Sequence, residues 1–178
     1  MVARGDFLAE SRRMGIPLVL WKAADLAWPA ITGTEDNGDH HIALDTNTIV
    51  LRGNAPNNDT QTDISWTQVV LPPEYVGGSA LSFIVSISVA NGATATAISC
   101  DLSVFEVNVV TGAVSADLVT TDAQTTVAAA TEYTFAITGS SLEPGGILNI
   151  KLTTISQDNT TDGQQSIWAT SLLLSVRG

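Results

Sequence analysis

From Leu81 to Val89 a large apolar residue occupies every odd position: Leu81, Phe83, Val85, Ile87 and Val89. Ser82, Ser86 and Ser88 lie between them, and Ile84 is the exception. A period of two sends alternate side chains to opposite faces of a strand. A second run places Ile98, Cys100, Leu102 and Val104 on one face. Between the two runs, Asn91-Gly92 signals a tight hairpin turn, because both residues tolerate positive φ. At Phe105 and Val107 the apolar set moves to odd positions, which predicts a bulge in that strand. The same alternation predicts strands over 48–52, 63–71 and 132–139, with Pro72-Pro73 ending the second because proline cannot donate to a ladder. Tyr133, Phe135 and Ile137 share one face of the third. A weaker strand is predicted around 117–121. Residues 147–155 and 167–176 read as a second hairpin, with Leu148, Ile150 and Leu152 facing one way on its first strand. Trp168, Leu172, Leu174 and Val176 face one way on its second.

About eight short strands separated by Gly, Pro and Asn turns predict an all-β fold, a jelly-roll-like antiparallel β-sandwich over residues 32–178. Residues 1–31 read differently, as an extended N-terminal arm. Residues 7–14 suit one or two helical turns, stopped by Gly15 and Pro17. Leu18-Val19-Leu20-Trp21 suits one short strand. Phe7, Leu8, Leu18, Leu20, Trp21 and Trp28 are too many large apolar groups to leave in water. With Arg12 and Arg13 they predict a segment that docks on another surface, either its own body or a neighbouring subunit.

Charge sharpens this division. The 178 residues carry a net charge of −11, yet Arg4, Arg12, Arg13 and Lys22 are four of the seven bases. No base occurs between Gly53 and Ile150. Such a body repels phosphate backbones, which argues against nucleic acid as a partner. No run of apolar residues is long enough for a membrane helix, so no membrane partner is expected. Ser11-Arg12-Arg13 superficially matches a twin-arginine export signal, but Pro17, Lys22 and Asp25 break the apolar stretch such a signal needs. Cys100 is the one cysteine, expected as a small buried hydrophobe.

Candidate chemistry is sparse. His40-His41 sits among Glu35, Asp36, Asp39 and Asp45, but adjacent residues on a strand face opposite ways and no third ligand completes a metal set; a solvated loop is expected. Two oxygen-rich loops, 36–39 and 158–163, lack the closing Glu of a calcium loop. Asp101 and Glu106 are candidates for paired carboxylates, with nothing to raise the pKa of either. No nucleophile elbow, phosphate loop or zinc motif is present. No enzyme activity, catalytic residue, metal or cofactor is expected. Trp66 and Trp168 lie in strands, where they either pack in the core or, on an exposed face, stack on sugar rings.

Leu71-Pro72-Pro73-Glu74-Tyr75-Val76-Gly77-Gly78 opens a resemblance that continues through residues 101–107, 133–137 and 142–148 and closes at Leu174-Ser175-Val176-Arg177-Gly178. Over roughly residues 63–178 the chain resembles the β-sandwich decoration, or cement, proteins of tailed-bacteriophage capsids. The resemblance implies a structural virion protein, a homotrimer on the outer capsid surface that binds the major capsid protein and clamps its neighbouring subunits. The alternative is a carbohydrate-binding or receptor-binding β-sandwich module, on a tail fibre or secreted.

Overall fold

The computed structural model describes residues 9–23, 40–45, 48–55, 60–90, 98–157 and 163–177. Among the described residues eleven strands run in chain order: β1 (Ala9–Ile16), β2 (Lys22–Ala23), β3 (His41–Asp45), β4 (Thr48–Ala55), β5 (Thr60–Val70), β6 (Leu81–Ala90), β7 (Ser99–Val107), β8 (Gln124–Thr125), β9 (Thr131–Ile137), β10 (Ile147–Gln157) and β11 (Gly163–Arg177). A six-stranded sheet has the order β3-β4-β11-β6-β9, with β1 also paired to β11. A five-stranded sheet has the order β2-β5-β10-β7-β8. Every strand pair among the described residues is antiparallel. The jelly-roll-like antiparallel sandwich expected from the alternation is therefore the observed architecture.

The core fills the space between the sheets. Phe83, Val85 and Ile87 of β6, Phe135 and Ile137 of β9, and Leu172 and Leu174 of β11 meet Cys100, Leu102 and Val104 of β7 and Leu148, Ile150 and Leu152 of β10. Each fully buried side chain of this size contributes about 1.5–3 kcal/mol. In β9 the burial follows the alternation residue by residue, with Tyr133, Phe135 and Ile137 inward and their neighbours outward.

The pairing differs from the expected hairpins. β6 belongs to the six-stranded sheet and β7 to the five-stranded one; β11 and β10 are divided in the same way. Neither consecutive pair is a hairpin: each connection crosses from one layer to the other. The Asn91-Gly92 turn lies outside the described residues. Alternation states which residues face inward, and two strands with equivalent inward faces satisfy it equally well side by side or across the core. Facing each other, they bury both apolar sets at once.

The expected bulge is also elsewhere. The β7–β10 register runs unbroken from Ser99↔Ile155 to Val107↔Ile147, so Val104 points inward and Phe105 and Val107 point outward. The irregularity lies in β11, between Ile167 and Ala169. Before it, Gln165 and Ile167 are buried; after it, Thr170, Leu172, Leu174 and Val176 are. The extra residue, Trp168, does not share the face of Leu172 as expected; it is half-buried, and its indole donates to Ser88 Oγ at 2.7 Å. Here β11 also changes its neighbour, from β4 up to Ile167 to β1 from Thr170 onward.

Residues 9–16, of which 9–14 were expected to be helical, form a strand in register with β11 from Ala9↔Arg177 to Ile16↔Thr170. Eight residues make a marginal helix in water, whereas the edge of β11 offers a complete set of backbone partners. Residues 18–20 form a 3-10 turn rather than a strand, and residues 117–121 contribute only the single bridge Val119↔Ile137. No helix among the described residues is long and apolar enough to cross a membrane.

Candidate functional site

The outward face of the five-stranded sheet carries the grouping with the clearest binding chemistry. Residues directly opposite in an antiparallel ladder project from the same face. The register therefore sets Lys22 of β2, Trp66 of β5, Lys151 of β10 and Ser103 of β7 in one row across four strands. The next row holds Gln68, Asn149 and Phe105. On the other side lie Ile64, Thr153 and Asp101.

Trp66 and Phe105 belong to strands that are not neighbours, since β10 separates them. Two strand spacings put their backbones about 10 Å apart, yet their ring centroids are 6.1 Å apart with planes inclined at 30°. The two side chains lean together over β10 as an offset stack. Both rings are half-buried. Gln68 Nε2 donates to Asn149 Oδ1 at 3.0 Å beside them. The arrangement is an apolar platform bordered by an amide pair, a hydroxyl and ammonium groups. It can stack on a flat apolar surface and hydrogen-bond hydroxyls at its rim.

The remaining sequence candidates fall in different places. His40 and His41 are buried rather than solvated, at 1% and 2% exposure. His40 Nε2 lies 2.9 Å from Thr154 Oγ1, between the layers. Burial, then the neighbouring His41, lowers its pKa to about 3, against a backbone hydrogen bond with Ile64 that raises it. His41 stands opposite Arg52 in the β3–β4 ladder. Residue type alone does not disclose that both histidines are buried. The polar positions around His40 are inward ones: Asp63, Thr154 and Gln165 are each 0% exposed.

Asp101 and Glu106 project from opposite faces of β7 and do not form a carboxylate pair; Asp101 accepts from the Leu102 amide and Glu106 from Ser141. Among the described residues no three His, Cys, Asp or Glu side chains gather around a common point. The loops at 36–39 and 158–162 lie outside the described residues. Cys100 is fully buried, as expected, and its thiol pKa is pushed up by burial and then by Asp101.

The expected docking segment is drawn into the body. Trp21 is 0% exposed and meets Phe83 edge to face, with centroids 6.0 Å apart and an interplanar angle of 84°. Its Nε1 donates to Thr170 Oγ1 at 3.2 Å. Ile16 is in the core and Leu18 packs against it. Trp21 is thus a core residue of its own chain, not a group presented to a partner, because it closes the space between Phe83 and the end of β1. The boundary expected at residue 31 does not separate residues 9–23 from the body: β1 joins one sheet and β2 the other. Leu20 stays 47% exposed. Arg12 and Arg13 are exposed and line a groove of about 460 Å³ with Pro72, Glu74 and Leu174; Arg13 also pairs with Glu132. Phe7, Leu8 and Trp28 lie outside the described residues.

Sequence reasoning named Trp66 but missed its partner. The shift of parity at Phe105 was the available signal: without a bulge, it means an outward aromatic ring.

No family model matches the chain, and no curated protein sequence does. Among solved structures, the chain is similar to TmCBM61 in complex with beta-1,4-galactotriose, with 11% identity over 93% of this chain and 88% of that one, at a TM-score of 0.41. It is also similar to the CBM22-1–GH10 modules of the Clostridium thermocellum N-terminal endo-1,4-beta-D-xylanase 10B complexed with xylohexaose. The identity there is 13% over 93% of this chain and 28% of that one, at a TM-score of 0.39.

Proposed function

We propose that the protein is a carbohydrate-binding β-sandwich module that holds a glycan on the outward face of its five-stranded sheet. The observation that carries this reading is the Trp66–Phe105 stack, two half-buried rings brought together across an intervening strand, with polar groups in the same rows of the face. An aromatic ring offers a sugar's C–H face an apolar surface, while Gln68, Asn149, Ser103 and Lys151 offer hydrogen bonds to its hydroxyls. Rigid strands hold these groups with little ordering cost on binding.

The capsid-clamping role implied by the sequence resemblance calls for outward apolar anchors in residues 1–31. The inward Trp21 and the core-packed Leu18 remove two of those anchors from any partner, which favours the sheet-face reading.

Glycan-array screening of the folded chain, followed by calorimetry on the best binder, tests the proposal. Trp66→Ala and Phe105→Ala should each lower affinity by about tenfold or more, since a well-placed aromatic contact is worth roughly 1–2 kcal/mol. A folded protein that binds no glycan, or undiminished binding by both variants, refutes it.

A further inference from the structure

We infer that the glycan taken by this face carries a carboxylate, as in a uronic acid, seated against Lys22 and Lys151. The inference rests on the glycan-binding reading of the same face and names the class of sugar.

The chain has two lysines in all, Lys22 and Lys151. They come from opposite ends of the sequence, and the fold brings both of them directly opposite Trp66, one on each neighbouring strand. Paired residues of adjacent strands have Cα atoms about 5 Å apart. The two ammonium stems therefore flank the indole along a single row. Both are half-buried. Lys151 has no ion pair or hydrogen bond among the described residues. On β5, β10 and β7 this face carries one acid, Asp101, although the whole chain has a net charge of −11.

A neutral sugar needs hydroxyl partners but no cations. Two ammonium groups beside a stacking ring are complementary to a sugar whose ring bears an anion. A carboxylate on a pyranose lying over Trp66 comes within reach of either lysine and makes charge-assisted hydrogen bonds, about twice as strong as neutral ones. The acidic body does not prevent this. Exposed charges more than about 8 Å away are largely screened at physiological ionic strength, so the local lysines decide.

The test is calorimetry at physiological salt with four probes: tetragalacturonate, its methyl ester, neutral galactotetraose and a sulfated galactose tetramer. The free acid should bind about tenfold tighter than the ester or the neutral sugar, the size of one charge-assisted contact. Lys151→Gln should reduce that preference with thermal stability unchanged. Equal binding of acid, ester and neutral sugar overturns the inference and leaves the glycan reading standing. Tighter binding of the sulfated probe than of the carboxylate overturns the choice of carboxylate. Binding of none of the four, with none found on the array, overturns both readings.

Discussion

Replacing Trp21 with alanine tests whether the leading segment belongs to its own chain's core. The indole is fully buried, meets Phe83 edge to face at 6.0 Å and donates to Thr170 Oγ1. Removing a buried Trp side chain costs about 3–5 kcal/mol. The aromatic pair adds about 0.5–1.5 kcal/mol to what burial alone supplies. The lost hydrogen bond matters less: Thr170 Oγ1 still donates to the Ile16 carbonyl, so it is not left without a partner. The expected loss for Trp21→Ala is about 4–5 kcal/mol, a large part of a domain stability of roughly 5–15 kcal/mol. Trp21→Phe keeps a ring in place and should cost about 1–2 kcal/mol. Urea unfolding followed by far-ultraviolet circular dichroism measures both without relying on the removed fluorophore. A double-mutant cycle with Phe83→Leu should show a coupling of at least about 0.5 kcal/mol. A loss below about 1 kcal/mol for Trp21→Ala, with no coupling to Phe83, would refute the placement. It would also restore Trp21 as a group free to dock elsewhere.

Deleting residues 1–23 should destabilise the body rather than leave it intact, since it strips β1 from β11 and Trp21 from the core; a truncated chain with an unchanged urea midpoint would contradict this. Gly139→Ala should cost about 2–3 kcal/mol in the same assay, because a Cβ there would lie 1.9 Å from the Ser79 carbonyl oxygen. His40 makes stability fall with acid. Its folded pKa of about 3 lies below the ordinary value of 6.5, so the unfolded chain binds the extra proton between those pH values. This contribution is complete above pH 6.5 and declines toward pH 3 by at most about 1.4 kcal/mol per pH unit. Urea midpoints for wild type and His40→Gln at pH 7, 6 and 5 should show a shallower slope in the variant; equal slopes would refute it. The buried Cys100, with its raised thiol pKa, should react with a maleimide only under unfolding conditions, as mass spectrometry can follow; rapid modification of the native protein would contradict its burial.

How much of this was legible in the sequence differs from element to element. The inward residues of β6, β9 and β10 could be read directly, because a two-residue period and a one-sided core leave a single solution. The platform was half legible. Trp66 stood out by residue type, but Phe105 was hidden by an assumed bulge, since a parity shift looks the same whether the chain slips or an aromatic ring turns to solvent. The lysines flanking Trp66 could not be read at all: their positions differ by well over a hundred residues, and only strand order makes them neighbours. The two histidines show the same limit. Surrounded in sequence by acids, they read as a solvated loop, yet both are buried in the fold.

By itself, the sequence determined the class of fold and, for β6, β9 and β10, the face each one buries, because these follow from local alternation and from turn residues that interrupt it. It also determined that the charge is uneven and that no known catalytic motif is present. Tertiary structure alone decided which strand lies beside which, that consecutive strands divide between two layers, and that the leading segment completes the core. It also decided that two aromatic rings and both lysines meet on one face. The reason is that pairing is chosen by the joint burial of distant surfaces, and that free energy belongs to no local stretch of chain.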